Sequence, residues 1–363
     1  MNITKNGAEI IQKMIDEAKA NGTNKVVIEG GRYEIEKAIL IPSDFYLVLD
    51  NCYLRMADNT FCNMFNNQNC HTEIGGTVEG TDRNIVIEGK GNVIIDGGEY
   101  NGLSEKNYSK DGNPHITVNN ILLFRNVDGF RISGLHIRNQ RYWALNFYYC
   151  RNGRINNIDF LSDYTNIDEN GVRTPYLTLE NYDNVYIKNS DGIDLRVGCH
   201  DIIIENITGF TEDDTVALTG VSKGDDHKLF NQVEGLSSDM YNIIIRNIQS
   251  SAYWSNVRLL AQGGIKMYNI LVDGIVDTSQ DSKYMLRGAS AIRIGDFRMY
   301  GYRQPTEDEF YNITVRNVYS RAEHVIRLAG VMGKCVFDNI NGYGDYEKFI
   351  ENKATVDVEK FFR

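Results

Sequence analysis

Proline is scarce in this sequence, four residues in 363, as are tryptophan, with two, and cysteine, with six. No run approaches 18 consecutive apolar residues, so no stretch reads as a membrane-spanning helix. Met1 to Asn21 lacks an apolar core between a basic start and a small-residue cleavage site, so the chain as it stands reads as cytoplasmic. Cations are in deficit. Lys plus Arg number 38 against 49 Asp plus Glu, a formal charge of −11 with the acids spread along the chain, which argues against nucleic acid as a partner. Cys52, Cys62, Cys70, Cys150, Cys199 and Cys335 contain no CxxC pair, and only Cys62, Cys70 and His71 lie close together; free buried thiols fit better than a disulfide or zinc site. His115, His136, His200 and His227 lack metal-ligand spacing, and Gly75-Gly76, Gly97-Gly98 and Gly263-Gly264 lack the strand and helix context of a nucleotide loop. No metal and no cofactor are therefore expected.

What is abundant is turn-forming residues. Glycine numbers 33 and asparagine makes up roughly one residue in nine. One helix is expected, Gly7 to Ala20, with Ala8, Ile11, Met14, Ile15 and Ala18 at helical spacing and Asn21-Gly22 as its stop; it suits a cap over residues 1–24. Beyond it the period changes to short alternating runs rich in Ile, Val, Tyr and Phe. Runs starting at Asn184, Asp201, Asn242, Asn269 and Asn312 resemble one another and recur at intervals of roughly 17 to 43 residues, the mark of stacked repeats. Between them lie apolar-variable-apolar triplets at Ile193, Val216, Val257, Ile292 and Ile326. Two strand families in alternation, with asparagines at corners where amides stack, predict an all-β fold: a right-handed parallel β-helix over 25–343, with a tail or cap over 344–363. A β-propeller is the alternative, but its tight hairpin turns are sparse in this sequence.

In each triplet the middle residue faces outward and its neighbours face the core. The outward column reads Asp194, Ala217, Arg258, Arg293 and Arg327, with Asn146 as an earlier member. Three stacked arginines call for neighbouring acids or an anionic ligand such as a uronate. Asp191 and the Asp213-Asp214 pair lie about 22 residues apart, near one turn of such a helix. Three acids at one sheet edge would repel and push at least one pKa upward, leaving a proton donor at neutral pH. Glycoside hydrolysis needs one acid to protonate the leaving oxygen and one carboxylate to activate water or attack carbon. The same Asp residues beside Gly and Thr could instead simply cap turns.

These residues resemble the polygalacturonase group, the family-28 glycoside hydrolases of the pectin-lyase-like β-helix group. The family's Asn-Thr-Asp block is matched by Asn189-Ser190-Asp191, and its following Asp-Asp pair by Asp213-Asp214. Asn92-Val-Ile-Ile-Asp-Gly-Gly is similar to the early Ile-Asp-Gly turn, Gln140-Arg-Tyr-Trp143 to the Ser-Pro-x-Trp segment, and Val257-Arg258 to the Arg-Ile-Lys motif. The resemblance implies an inverting hydrolase, with Asp213 as general acid and Asp191 with Asp214 holding and deprotonating water. Two departures stand out. Val233-Glu234-Gly235 takes the place of Gly-His-Gly, and Leu260 replaces the lysine. Arg293 and Arg327 are candidates to substitute for the lost cations; a neutral substrate is the alternative.

Aromatic rings stack on the apolar faces of pyranosides, and Tyr142, Trp143, Tyr148, Tyr149, Tyr253 and Trp254 fall near the expected groove, with Trp143 and Trp254 preferred. The expected activity is hydrolysis of plant-type, pectin-like oligosaccharides. A β-helix lyase using an Arg or Lys base, often with calcium, and a noncatalytic carbohydrate-binding helix are the alternatives. Exposed coil ends and faces leave self-association open.

Overall fold

Alternation with a period of two closes the chain into stacked coils. The computed structural model describes residues 2–58, 60, 62–98, 119–140, 143–162, 166–167, 173–174, 190–221, 232–279, 288–295, 303–342 and 350–354. Among these, a 13-stranded sheet and a ten-stranded sheet are built from parallel pairs of successive coils. Returning each time to the same sheet through a crossover gives the right-handed sense expected of parallel connections. The fold is a right-handed parallel β-helix.

Its core is a set of ladders. Ile87, Ile132, Ile155, Ile204, Ile245, Val272, Val315 and Phe337 follow one another in register across the broad sheet, and each is buried. Opposite them stand Leu145, Ile193, Val216, Val257, Ile292 and Ile326. Each such side chain contributes roughly 1.5–3 kcal/mol by leaving water. The long strands of the broad sheet bend at asparagines held at positive φ, including Asn157, Asn206, Asn247 and Asn317. Asparagine tolerates this left-handed conformation because its short amide bonds locally. The amides also bond from coil to coil: Asn242 donates to Asp201 Oδ1 at 2.9 Å and Asn269 donates to Asn242 Oδ1 at 3.0 Å.

Helix α1, Gly7–Ala20, caps the first coil and buries Ala8, Ile11 and Ile15. Met14, expected on the same face, is 37% exposed at the rim of the apolar stripe. That helix is too short to cross a membrane, and no other described helix is long and apolar enough. All six cysteines are free thiols, and burial pushes Cys52 up to about 11. The run starting at Asn184, and most of the tail beyond residue 343, lie outside the described residues.

Candidate active site

The ten-stranded sheet presents its outward residues in rows. Its register pairs Asn146 with Asp194, Asp194 with Ala217, Ala217 with Arg258, Arg258 with Arg293, and Arg293 with Arg327. Rows from neighbouring coils stand about 4.8 Å apart. The turns entering these strands form a second row. Ala144 N–H donates to the Asp191 carbonyl, Gly192 N–H to that of Asp214, and Thr215 N–H to that of Ser255, each at 2.9 Å. These bonds put Asp191, Asp214 and Ser255 at equivalent points of successive coils. Gly192 has to be glycine for this approach, since a Cβ there would stand 2.5 Å from the Thr215 carbonyl oxygen.

Side-chain oxygens of Asp191, Asp213 and Asp214 all come within 4.8 Å of one another. Asp191 and Asp214 are buried and Asp213 is half-buried. Asp191 Oδ1 accepts the backbone N–H of Asp214 at 2.9 Å, and Asp214 Oδ1 accepts the Ser255 hydroxyl. Arg258 Nη1 lies 3.6 Å from Asp214 Oδ2. Burial, and then the charges of Asp194, Asp213 and Asp214, push Asp191 well above the usual carboxylate range. Burial also raises Asp194 to about 7, although Arg196 opposes the rise. By spacing alone the trio could share a small cation. The guanidinium groups of Arg258 and Arg293 already face this trio, and that of Arg196 faces Asp194 beside it, so the set is suited to proton chemistry.

Inverting glycosidases usually hold their carboxyl groups roughly 6.5–9.5 Å apart and retaining ones roughly 5–5.5 Å. The 4.8 Å limit is measured between nearest oxygens, a shorter quantity. A water bonded to two such oxygens at about 2.8 Å each still spans the gap.

Several residues support this site that the sequence reading did not single out. Glu212 is buried, and its Oε2 accepts the Ser190 N–H at 2.7 Å and the Ser190 hydroxyl at 3.2 Å, pinning the turn that carries Asp191. Thr215 joins Thr211 at 3.0 Å and Ser250 at 2.9 Å behind the acids. Arg196 lies over the Trp143 ring, 4.1 Å from its centroid, with Nη1 3.6 Å from Asp194 Oδ1. Alternation along Ile193-Asp-Leu-Arg was the available signal, since it puts Arg196 on the face of Asp194.

The remaining expected residues are distributed unevenly. Arg293 is buried, with its guanidinium 5.4 Å from the Trp254 ring, and Arg327 is half-buried two rungs beyond Arg258. Trp254 is half-buried, whereas Trp143 is 5% exposed beneath Arg196. Tyr148, Tyr149 and Tyr253 are buried packing residues. Asn146, in the row of Asp194, donates its amide to Asn120 Oδ1 at 2.9 Å. Glu234 is not brought to the carboxylates. It is exposed, its N–H donates to the Gly76 carbonyl at 2.8 Å, and the adjacent Gln232 carbonyl accepts Arg125 Nη2 at 3.2 Å. That places it beside Leu122–Arg125, three strands from Val216–Gly220 in the sheet order, about 14 Å at ordinary strand spacing. Asn189 and Tyr142 lie outside the described residues.

Comparison with known structures agrees with this architecture. A hyperthermoactive exopolygalacturonase from Thermotoga maritima superposes with a TM-score of 0.54 at 15% identity, covering 94% of this chain and 86% of that one. A 1,3-alpha-1,4-beta-D-galactose-4-sulfate-3,6-anhydro-D-galactose-2-sulfate 4 galactohydrolase gives 0.60 at 13%, covering 96% and 86%. A tailspike protein of an E. coli bacteriophage, in complex with a pentasaccharide, gives 0.58 at 12%, covering 96% of this chain and 62% of that one. At these identities the likeness is one of fold. No protein of curated function matches by sequence. The sequence profile described as glycosyl hydrolases family 28 matches residues 37–251, more than half of the 363-residue chain, and that stretch contains Asp191, Asp213 and Asp214. With three acids held across two coils inside the matched span, the chain belongs to glycosyl hydrolases family 28.

Proposed function

We propose that the protein hydrolyses glycosidic bonds in acidic, pectin-like oligosaccharides with inversion at the anomeric carbon. The observation that carries this reading is the joining of Asp191 to Asp214 across successive coils, with Asp213 beside them and Arg258 on the far oxygen of Asp214.

Asp213, the least buried of the three, is the donor. Its proton passes to the glycosidic oxygen as the bond to the anomeric carbon breaks, and the leaving sugar departs as an alcohol. Water held between Asp191 and Asp214 forms the new bond from the opposite face. Asp214, held as an acceptor by Ser255 and facing Arg258, takes the water's proton, and exchange with solvent then restores Asp213. Asp191 orients the water, a role that tolerates the proton its buried setting favours. Arg258, Arg293 and Arg327 form the cationic row that receives sugar carboxylates.

Proton NMR of oligogalacturonides from polygalacturonic acid, recorded within minutes of adding enzyme, tests the scheme. The expected first product is the anomer opposite to the linkage cleaved, one new reducing end per bond, without the ultraviolet absorbance of an unsaturated product. Retention would replace the water-first step by a covalent one, and an unsaturated product would make the protein a lyase.

A further inference from the structure

Trp143 offers little of its ring to solvent, because the Arg196 guanidinium lies over it at 4.1 Å from the centroid. A planar cation on an indole face is attracted by the ring's quadrupole and loses rotational freedom. The guanidinium is thereby aimed at Asp194, with Nη1 3.6 Å from Oδ1. Asp194 is fully buried, and among the described residues no donor group gives either of its oxygens an ordinary hydrogen bond. Asp191, three residues earlier and facing it, completes the contact when one of the two carboxyls carries a proton.

Among the described residues, charged groups face this pair from several elements, and buried Glu212 bonds Ser190 beside it. Asp191 is faced by Asp213 and Asp214 from the following turn, and Asp194 by Asp214, by Arg196 from its own strand Ile193–Arg196 and by Arg258 from strand Ser255–Ala261; Arg293 from strand Ser290–Ile294 faces Asp213 and Asp214. The intervening row members Asn146 and Ala217 are neutral.

We propose that Arg196, clamped on Trp143, is a positioning residue for the hydrolytic reaction: it fixes Asp194, and through a proton shared between Asp194 and Asp191 it fixes Asp191 against the Asp214 N–H. This rests on the reading of Asp191 as a group of the reaction. It also changes what Trp143 is for, from a platform for sugar to the support of a guanidinium.

The test uses full-length protein carrying carboxyl-13C aspartate, titrated by NMR without any substrate, with Asp191→Asn and Asp194→Asn identifying the two resonances. Arg196→Gln is expected to move the titration of the pair to higher pH, because a cation that favoured the ionised form is gone. Asp194→Asn is expected to move Asp191 to lower pH, since a like charge is removed and the amide donates to it. Arg196→Lys should fall between Arg196→Gln and the parent. On oligogalacturonides, Arg196→Gln should lose about tenfold in kcat/KM, the scale of an outer partner, with the acid limb of the profile moved to higher pH and part of the loss recovered in Arg196→Lys. Superimposable carboxyl titrations in a folded Arg196→Gln protein would overturn the proposal. Should that variant not fold, Trp143→Leu keeps the charge but loosens the clamp, and an unmoved titration there overturns it equally. Titrations that shift as expected without hydrolysis of any acidic oligosaccharide would uphold the clamp and reject the proposed activity.

Discussion

Asp214 donates its backbone N–H to Asp191 Oδ1 at 2.9 Å, so two acids from successive coils are joined through the main chain. A main-chain donor cannot swing away as a side chain can, so the coil itself sets where the Asp191 carboxyl is held, while Ser255 holds that of Asp214. The same bond separates catalytic from structural effects of substitution. Asp213 is half-buried, whereas Asp191 and Asp214 are buried.

Asp213→Asn is accordingly expected to lower kcat by about 10²- to 10⁴-fold, the worth of a positioned proton donor, with little change in unfolding midpoint. Asp191→Ala should lose activity and also about 1–3 kcal/mol of stability, because the buried Asp214 N–H is left without its acceptor. Denaturant melts beside initial rates check both. Equal stabilities for the two variants would mean that the inter-coil bond is not made in solution.

The raised acids give stability a defined pH dependence. A carboxyl lifted in the folded state binds its proton more readily there than in the unfolded chain. Its contribution is full below the unfolded value near 3.8 and is lost as pH rises through the folded one. For Asp194 that window runs from about 4 to about 7, and Asp277, raised to about 6 mainly by burial, adds to its lower part. Asp194→Asn removes the Asp194 share. Its melting temperature relative to the parent is expected to climb between pH 4 and pH 8, ending above the parent by the equivalent of a few kcal/mol at most. Calorimetry at pH 4, 6 and 8 measures this, and a constant offset across that range would contradict it.

Much of the fold was legible because a parallel β-helix repeats its constraints. The triplets at Ile193, Val216, Val257, Ile292 and Ile326 predict the outward row from Asp194 to Arg327, and the strand register contains that same row. A period of two fixes which face a side chain takes, and coil length fixes its neighbour above and below. Neither fixes contacts across a turn. Arg196 over Trp143 joins a strand to the turn entering a different coil, and Glu212 under Ser190 joins two turns 22 residues apart. Val233-Glu234-Gly235 matches a family motif by order along the chain alone, and the chain carries Glu234 to the coil of Arg125. Gln232 and Glu234 are held there through their own backbone groups, so their side chains carry no pattern to read.

The asparagine corners give a test of the architecture apart from the chemistry. Asn242 sits at φ 52°, donates to Asp201 and accepts from Asn269. Asn242→Ala loses both bonds and places a Cβ in a conformation that costs roughly 1–2 kcal/mol; about 2–3 kcal/mol of lost stability is expected in all. Asn242→Gly, free of that strain, should lose less. Urea unfolding of both variants decides the point, and an alanine variant as stable as the glycine one would remove the strain argument.

The arginine row makes the sharpest statement about substrate. Arg293 is held below its ordinary basicity first by burial and then by Arg258, and Arg327 repels it as well. Asp214 and Asp213 offset only part of this. A protein keeps stacked guanidiniums at such a cost where an anion arrives to relieve them. Arg293→Met should therefore raise KM for oligogalacturonides by about 10- to 100-fold, the equivalent of a charge-assisted hydrogen bond worth about 1.5–3 kcal/mol, while its melting temperature stays level or rises. The same variant should leave KM unchanged on a neutral, carboxyl-reduced form of the oligosaccharide. Michaelis constants on both substrates check this. An equal rise on the neutral substrate would show that Arg293 shapes the groove through packing against Trp254, not by receiving a sugar carboxylate.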